Sequence, residues 1–289
     1  MLAAIEAGGT KFVCAVGDKE LNLVELIEIP TTSPLETMGQ VKDFFLQYDV
    51  EAFGIGSFGP ANINSHSENY GCITNTPKER WKNFNIISYL KNFFDVDFVF
   101  NTDVNVAALG EAKFGVAQDV NSCIYVTIGT GIGVGAYVNG EMFHGLSHPE
   151  MGHIVVKRHP DDSFVGNCPF HQDCLEGMAA GPAIEERWNK KAILLKNDME
   201  VWEIEGYYIA QALWNYILTF SPERIILGGG VMKQRQLFPI IFHYLNKLNN
   251  SYLLFPELEV QFSSYIVPPR QEGLSAIKGA LYLAKTKIR

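Results

Sequence analysis

A chain of 289 residues with 47% hydrophobic and 19% charged residues can bury one large core or two ordinary ones. Its 23 basic residues against 32 acidic ones leave a formal charge of −9, which argues against broad contact with nucleic acid or an anionic membrane. No run of about 18 apolar residues occurs, so no transmembrane helix is expected.

The chain opens on "MLAAIEAGGTKFVCAVGDKE", which has no basic leader region and moves at once into strand-like alternation, unlike a signal peptide. "LAAIEAGG" and "TKFVCAVGD" read as two strands joined by a Gly-Gly turn, and "LVELIEIPT" as a third. "PLETMGQVKDFFLQY" carries apolar residues at helical intervals. "EAFGIGSFGP" and "DFVFNTD" are apolar runs of strand length, and "VNVAALGEAKFG" has helix composition with Gly115 as its C-cap. A second set begins with "SCIYVTIGTG" and "IGVGAYVNGEMF", again strands hinged on a Gly/Thr turn, with Asn139-Gly140 as a hairpin signal. "VWEIEGYYIAQALWNYILTFS" predicts a long helix, "ERIILGGG" a buried strand and "VMKQRQLFPIIFHYLNKL" a further helix. The layout therefore repeats: strand, Gly/Thr turn, strand, then alternating helices and strands. Two α/β halves facing each other would bring both glycine turns to a shared cleft.

Each glycine turn, Glu6–Lys11 and Ile128–Gly135, sets glycine beside threonine between apolar strands. Glycine lets backbone N–H groups approach a phosphate and threonine adds a hydroxyl. A ligand-free hairpin has the same signature, and it is the pairing of two such turns that favours phosphate. Gly131 to Ala136 also fits the dinucleotide pattern G-x-G-x-x-A, but that pattern must open a helix, and a β-rich hairpin follows. No G-x-x-x-x-G-K-[ST] run is present. Asp103 ends a strand where a helix begins. It can be an N-cap or a general base at the carboxyl end of a sheet, and position alone does not separate the two. Gly228, Gly229 and Gly230 fit either a nucleotide lying on bare backbone or close strand–helix packing. Cys168-Pro-Phe-His171-Gln-Asp-Cys174, with His153 fifteen positions upstream, offers two thiolates and two imidazoles, the tetrahedral set that Zn²⁺ prefers. Four protein ligands leave no open position, so the expected ion is structural. The other cysteines, Cys14, Cys72 and Cys123, are scattered; an odd set in a large chain suits a reducing compartment, and the cytoplasm is expected.

Together "IEAGGTKFVCAVG", "SFGP", "NTDVNVAALGE", "TIGTGIGVG", "HPEMGH", "CPFHQDCLEG", "AAGPAIEERW", "SPERIILGGGVM" and "YIVPP" resemble, end to end, the ROK family of sugar kinases and sugar-responsive repressors. Within that family they are most similar to the zinc-containing bacterial fructokinases. The resemblance implies an α/β chain of the actin-like, ribonuclease-H-like ATPase fold, with two domains around an active-site cleft. The expected domains are residues 1–115, completed by the C-terminal helix 273–289, and a larger domain over 116–272. ATP with Mg²⁺ is implied near Gly8, Gly9, Thr10, Lys11, Thr130 and Gly131, with Pro182, Gly228–Gly230, Lys233 and Gln234 near the nucleoside. Asp103 matches the family's catalytic base, and Thr102, Glu150, His153 and Glu176 match positions that hold the sugar hydroxyls. His153 is implied to give one ring nitrogen to zinc and the other to the sugar, so that the ion stiffens an otherwise loose loop. Glucokinases of the family have Asn-Asp where this chain has Thr102-Asp103, glycine in place of Pro149, and a different cysteine pattern. These departures match the fructokinase branch, so fructose is expected, with mannose or glucose as alternatives and a homodimer as the assembly. The family's repressors carry a DNA-binding module before the first glycine turn, which here starts at Gly8, so a sugar sensor is the less favoured reading.

Overall fold

The computed structural model describes residues 1–259, 262–270 and 273–288. The chain forms two compact units: Met1–Asn121 with Gly135–Pro149 and Arg270–Arg289, and Ser122–Val134 with Glu150–Pro269.

In the first unit, β1 (Leu2–Ala7) and β2 (Lys11–Gly17) form an antiparallel hairpin, extended by β3 (Leu23–Pro30). Helix α1 (Pro34–Phe45) leads to β4 (Ala52–Ser57). The short α2 (Ile86–Leu90) precedes β5 (Asp97–Thr102), and α3 (Asp103–Phe114) follows directly. The sheet order is β3-β2-β1-β4-β5, with β1, β4 and β5 parallel. That is the ribonuclease-H-like arrangement that the family resemblance implied. A cluster of buried aromatic and aliphatic side chains, including Phe12, Met38, Phe45, Phe53 and Trp81, packs α1 and α2 to this sheet. The other packing partner is α3 with the C-terminal helix, and glycines bring their backbones together. A Cβ at Gly54 would lie 1.9 Å from Ala280 O, one at Gly110 1.8 Å from Ser275 O and one at Gly279 2.0 Å from Val106 O. Nine residues of α3 are buried, so this helix has almost no solvent face.

In the second sheet β6 (Cys123–Ile128) is followed by β7 (Ile132–Val138), the short β8 (Glu141–Met142) and, far along the chain, β9 (Arg224–Gly228) and β10 (Ile266–Val267). The order is β10-β9-β6-β7-β8, with β6, β9 and β10 parallel. Asn139 and Gly140, at φ 53° and 84°, make the expected tight turn between β7 and β8. The helices are α4 (Leu175–Ala179), α5 (Gly181–Trp188), the long α6 (Met199–Phe220), α7 (Leu237–Asn249) and α8 (Pro256–Glu259), and α9 (Ser275–Lys285) closes the chain. Among the described residues no helix is long and apolar enough to cross a membrane.

Two boundaries differ from those read in the sequence. Residues 135–149 belong to the first unit. The backbone of Gly135 lies so close to Val104 O that a Cβ would be 2.0 Å from it. The Ala136 N–H donates to Asn105 Oδ1 at 3.1 Å, and the Ala61 N–H donates to His148 Nε2 at 3.0 Å. The helix expected from Val231 starts at Leu237 instead, after a single 3₁₀ turn at Val231–Lys233. Pro239 explains the late start: without an N–H it is tolerated in a first turn, where that donor has no helical partner, but not in a helix interior.

Candidate active site

Asp103 occupies the junction of β5 and α3 in the first unit. The structure divides the two roles that its position suggested. The side chain of Thr102, not that of Asp103, caps the helix, accepting the Asn105 N–H at 3.3 Å. Asp103 is the first helical residue, and its Oδ1 accepts the neighbouring Val104 N–H at 2.9 Å. Backbone packing fixes the place: a Cβ at Gly56 on β4 would touch the Asp103 Cα at 3.1 Å, and Gly135 sits against Val104 O. A buried amide pair supports the junction. Asn105 Nδ2 donates to Asn101 Oδ1 at 3.0 Å, and that oxygen also accepts the Thr102 N–H at 2.8 Å. Burial, opposed by backbone hydrogen bonds, pushes the Asp103 carboxyl up from 3.8 to about 6. Such a group is ionised at neutral pH and still basic enough to take a proton.

The first glycine turn joins β1 to β2 in the same unit. The Gly8 N–H donates to Lys11 O at 3.0 Å, and Thr31 anchors the turn from outside through Thr31 Oγ1 to Gly8 O (2.8 Å) and Thr31 N–H to Thr10 O (3.0 Å). Thr10 is exposed. The Lys11 ammonium leaves the turn and is ion-paired with Glu28 on β3.

The second unit holds the cysteine and histidine set. Cys168, His171, Cys174 and His153 offer ligand atoms that all lie within 4.8 Å of one another. His153 Nδ1 is 3.4 Å from Cys174 Sγ and 3.7 Å from Cys168 Sγ, which is 3.7 Å from His171 Nδ1. Tetrahedral zinc with bonds of about 2.0–2.3 Å needs edges of roughly 3.3–3.8 Å; these three separations match it, and two thiols with two imidazoles are a donor set that suits the ion. Glycines shape the knuckle. Cys168 and Gln172 exchange backbone hydrogen bonds, and both Gly166 (φ 93°) and Gly177 press on Gln172 O, where a Cβ would come within 2.3 and 1.9 Å. Gly152 is equally confined, 1.7 Å from Ile132 O for a hypothetical Cβ, which fixes the turn carrying His153.

The loop joining His153 to Cys168 is not held by the ligand set alone. Helix α6 pins this loop and the turn just before it. Tyr216 OH donates to Met151 O at 2.7 Å, Gln211 exchanges hydrogen bonds with the backbone of Lys157, and Tyr208 OH donates to Asp162 Oδ2 at 2.8 Å. Arg187 on α5 completes the clamp, binding the buried Asp162 through Nε and Nη2 and donating Nη2 to Met178 O at 2.7 Å. Side chains distant in sequence thus supply a second fastening beside the four-residue set.

Glu176, at the start of α4, links this region to the second glycine turn. Its Oε2 accepts the Ile132 N–H at 2.8 Å, while Oε1 stands 3.9 Å from His153 Nε2, the imidazole nitrogen turned away from the cysteines. Glu150 begins the same short turn as His153, its carbonyl accepting the His153 N–H at 3.0 Å. The turn itself is drawn tight by Gly129 N–H to Gly131 O (2.9 Å) and by Gly181 N–H to Gly129 O (2.7 Å), which places Thr130, Gly131 and Pro182 together. The Gly228–Gly230 run joins them. A Cβ at Gly229 (φ 91°) would lie 2.4 Å from Ile128 O, and one at Gly129 would touch Gly230 N at 3.9 Å. Lys233 is exposed on the 3₁₀ turn that follows, and Gln234 Oε1 accepts from Gln236 Nε2 at 3.1 Å. Within this unit the structure gathers Thr130, Gly131, Pro182 and Gly228–Gly230 at the ends of β6 and β9.

The ROK family model matches residues 2–287. This chain is a member of the ROK family. A putative fructokinase of Bacillus subtilis is 55% identical over 100% of this chain and 97% of the relative, and a fructokinase of Pediococcus pentosaceus is 47% identical over 100% and 99%. The ROK hexokinase of Thermus thermophilus superposes with a TM-score of 0.79 at 22% identity, covering 99% of this chain and 98% of its own. The ROK protein described here accordingly has the actin-like ATPase fold.

Three residues with chemistry, Glu6, Arg187 and Asp162, carry no role in the sequence pattern of this ROK-family protein. Glu6 stands within the first glycine motif. It lies on β1 opposite Gly56, and burial, then the charge of Asp103, pushes its carboxyl up to about 7. The signal was an acid at the end of an otherwise apolar strand. The buried Arg187–Asp162 pair had no local signal, because its members are 25 positions apart on different elements.

Proposed function

We propose that this protein is an ATP-dependent fructokinase, converting D-fructose and ATP to fructose 6-phosphate and ADP. Full-length relatives named as fructokinases, at 55% and 47% identity, support that reading. Asp103 carries it: a carboxylate at a strand end, relieved of capping duty by Thr102 and raised by burial to about 6. The γ-phosphoryl group passes from the terminal bridging oxygen of ATP to the sugar hydroxyl while Asp103 accepts the hydroxyl proton. Gly8, Gly9 and Thr10 from one turn and Thr130 and Gly131 from the other present backbone donors and hydroxyls to the phosphates. Pro182, Gly228–Gly230, Lys233 and Gln234 line the nucleoside. Lys11 stands in the same turn as Thr10, its ammonium paired with Glu28 at the surface. ATP enters as its magnesium complex, whose cation offsets phosphate charge.

Glu150, His153 and Glu176 hold sugar hydroxyls, and Thr102 orients the residue beside it. His153, Cys168, His171 and Cys174 hold a structural zinc, whose contribution is to fix which nitrogen His153 turns toward Glu176. The same reading places the protein in the cytoplasm, in keeping with five buried cysteines scattered along the chain, and assembles it as a homodimer. A coupled ADP-release assay across fructose, mannose, glucose and N-acetylated amino sugars, with magnesium present, tests the proposal. Phosphorylation of fructose with the highest kcat/KM is expected. No ADP release with any sugar would return the chain to the sensor reading, and preference for mannose or glucose would keep the kinase but change its substrate.

A further inference from the structure

The lysine written into the first glycine motif is Lys11, yet its ammonium is spent on Glu28, with both side chains about half exposed (51% and 57%). A different lysine lies over the turn. A Cβ placed on Gly9 would come 2.7 Å from Lys78 Cε and 3.5 Å from its Nζ, so the end of the Lys78 side chain crosses the face of Gly9. Only the missing side chain at position 9 leaves that room.

The surrounding fold holds Lys78 in this place. Three residues on, Trp81 is 1% exposed, packs against Phe12 and Phe58 at ring-centroid distances of 5.1 and 5.9 Å, and donates Nε1–H to Thr32 O at 2.9 Å. Phe12 follows Lys11 directly, and Thr31, beside Thr32, is the residue that ties down Gly8 and Thr10. The turn and the Lys78 segment are therefore anchored to the same few residues. The Lys78 N–H donates to the buried Thr76 Oγ1 at 3.3 Å, and the Lys78 carbonyl accepts the Trp81 N–H at 2.8 Å. Among the described residues the Lys78 ammonium has no ion-pair partner. A half-buried cation on a fixed segment, unmatched and lying on a glycine turn, is poised for an anion.

We propose that Lys78 is a catalytic residue whose ammonium meets the transferring phosphoryl group at the first glycine turn. The inference rests on the fructokinase reading above. In the transfer, the bond from the γ-phosphorus to its bridging oxygen breaks and its electron pair leaves with ADP. The bond to the fructose oxygen forms, and the hydroxyl proton goes to Asp103. Lys78 exchanges no proton or electron; it donates hydrogen bonds to phosphoryl oxygens and offsets their charge as the bonds loosen. A lysine suits this place because its compact charge rides on a flexible stem narrow enough to cross a bare glycine.

The test compares K78M, K78R and K11M with the parent in the fructose-dependent assay, together with melting curves and zinc content. K78M keeps the stem and removes the charge. Its kcat is expected to fall about 100-fold, with the fructose KM within about threefold, as for loss of a donor to developing charge. K78R is expected to recover at least about tenfold of that loss, and K11M to cost less than K78M. If K78M does not fold, K78Q is read by the same thresholds. A folded charge-removed variant with kcat within about threefold of the parent overturns the proposal. So does K78R no better than K78M, or K11M losing more than K78M. A parent that fails to phosphorylate fructose would instead sink the kinase reading, while an active parent beside an unimpaired K78M sinks only the role of Lys78.

Discussion

Asp103 and Glu176 are both acidic residues at the start of a helix, but the two are held in place by different physics. Around Asp103 the placement is backbone against backbone: Gly56 under its Cα, Gly135 against Val104 O, and a helix buried on almost every side. Around Glu176 the close approaches of Gly152, Gly166 and Gly177 are joined by side-chain fastenings. The four cysteine and histidine donors gather within 4.8 Å, Arg187 grips Asp162 and Met178 O, and tyrosines of α6 reach Met151 and Asp162. A site built on close-packed backbone does not respond to chelators or to loss of one hydrogen bond, because no single polar group carries it. A site built on ligands and hydrogen bonds can be loosened one partner at a time. On the proposed reading, the group that must be positioned for chemistry would sit on the rigid junction, and the groups that would hold the sugar on the segment with separable fastenings.

Changes at the two sites should therefore differ in kind. Asp103→Asn is expected to lower kcat by about 10³-fold or more while fructose binding, measured by calorimetry, stays within a few-fold. Comparable loss of binding would mean that Asp103 holds the sugar rather than activating it. Removing zinc with a strong chelator, or making Cys174→Ser, is expected to raise the fructose KM roughly 10-fold and lower the melting temperature, since ligand-shell changes typically cost 10–100-fold. The clamp formed by α6 and Arg187 should keep the unit folded after zinc is removed, so complete unfolding on chelation would count against that second fastening. Gly135→Ala puts a methyl 2.0 Å from Val104 O. The strain is expected to destabilise the fold by about 1–3 kcal/mol, seen in denaturant melts, with zinc content unchanged.

The smallest effect separates the sites by pH. The Asp103 value of about 6 lies above its ordinary 3.8, so ionising this half-buried carboxyl opposes folding. The stability associated with the protonated form is complete below about pH 4 and lost as the pH rises through about 6. Asp103→Asn should consequently melt higher than the parent at pH 8, with the difference shrinking toward pH 4. In the parent, kcat/KM should fall below about pH 6 as the base is protonated. An acid limb unmoved by loss of zinc would tie it to Asp103, and a limb that shifts with the metal would tie it to the sugar-holding segment.

What could be read in advance was local. The β1–β2 hairpin, β5 running into α3, the Asn139-Gly140 turn and the C-x-x-H-x-x-C set each lie within a short window, where strand alternation, turn chemistry and ligand spacing act between near neighbours. Even there the capping duty went to Thr102 by a one-residue margin that sequence pattern does not resolve. The start of α7 was missed because Pro239 limits the helix from inside the first turn. Residues 135–149 joined the first unit through contacts of Gly135, Asn105 and His148 that span many positions.

The sequence by itself determined the alternation of strands and helices, the two glycine turns and the two-cysteine, two-histidine set, since these depend on backbone propensity and on donor atoms close along the chain. Only the tertiary structure decided that Lys11 turns to Glu28 while Lys78 crosses Gly9, that Arg187 finds Asp162, and that burial raises Asp103 to about 6. Each of those outcomes depends on which distant groups share a small volume, and desolvation, charge pairing and close contact act through space rather than along the chain.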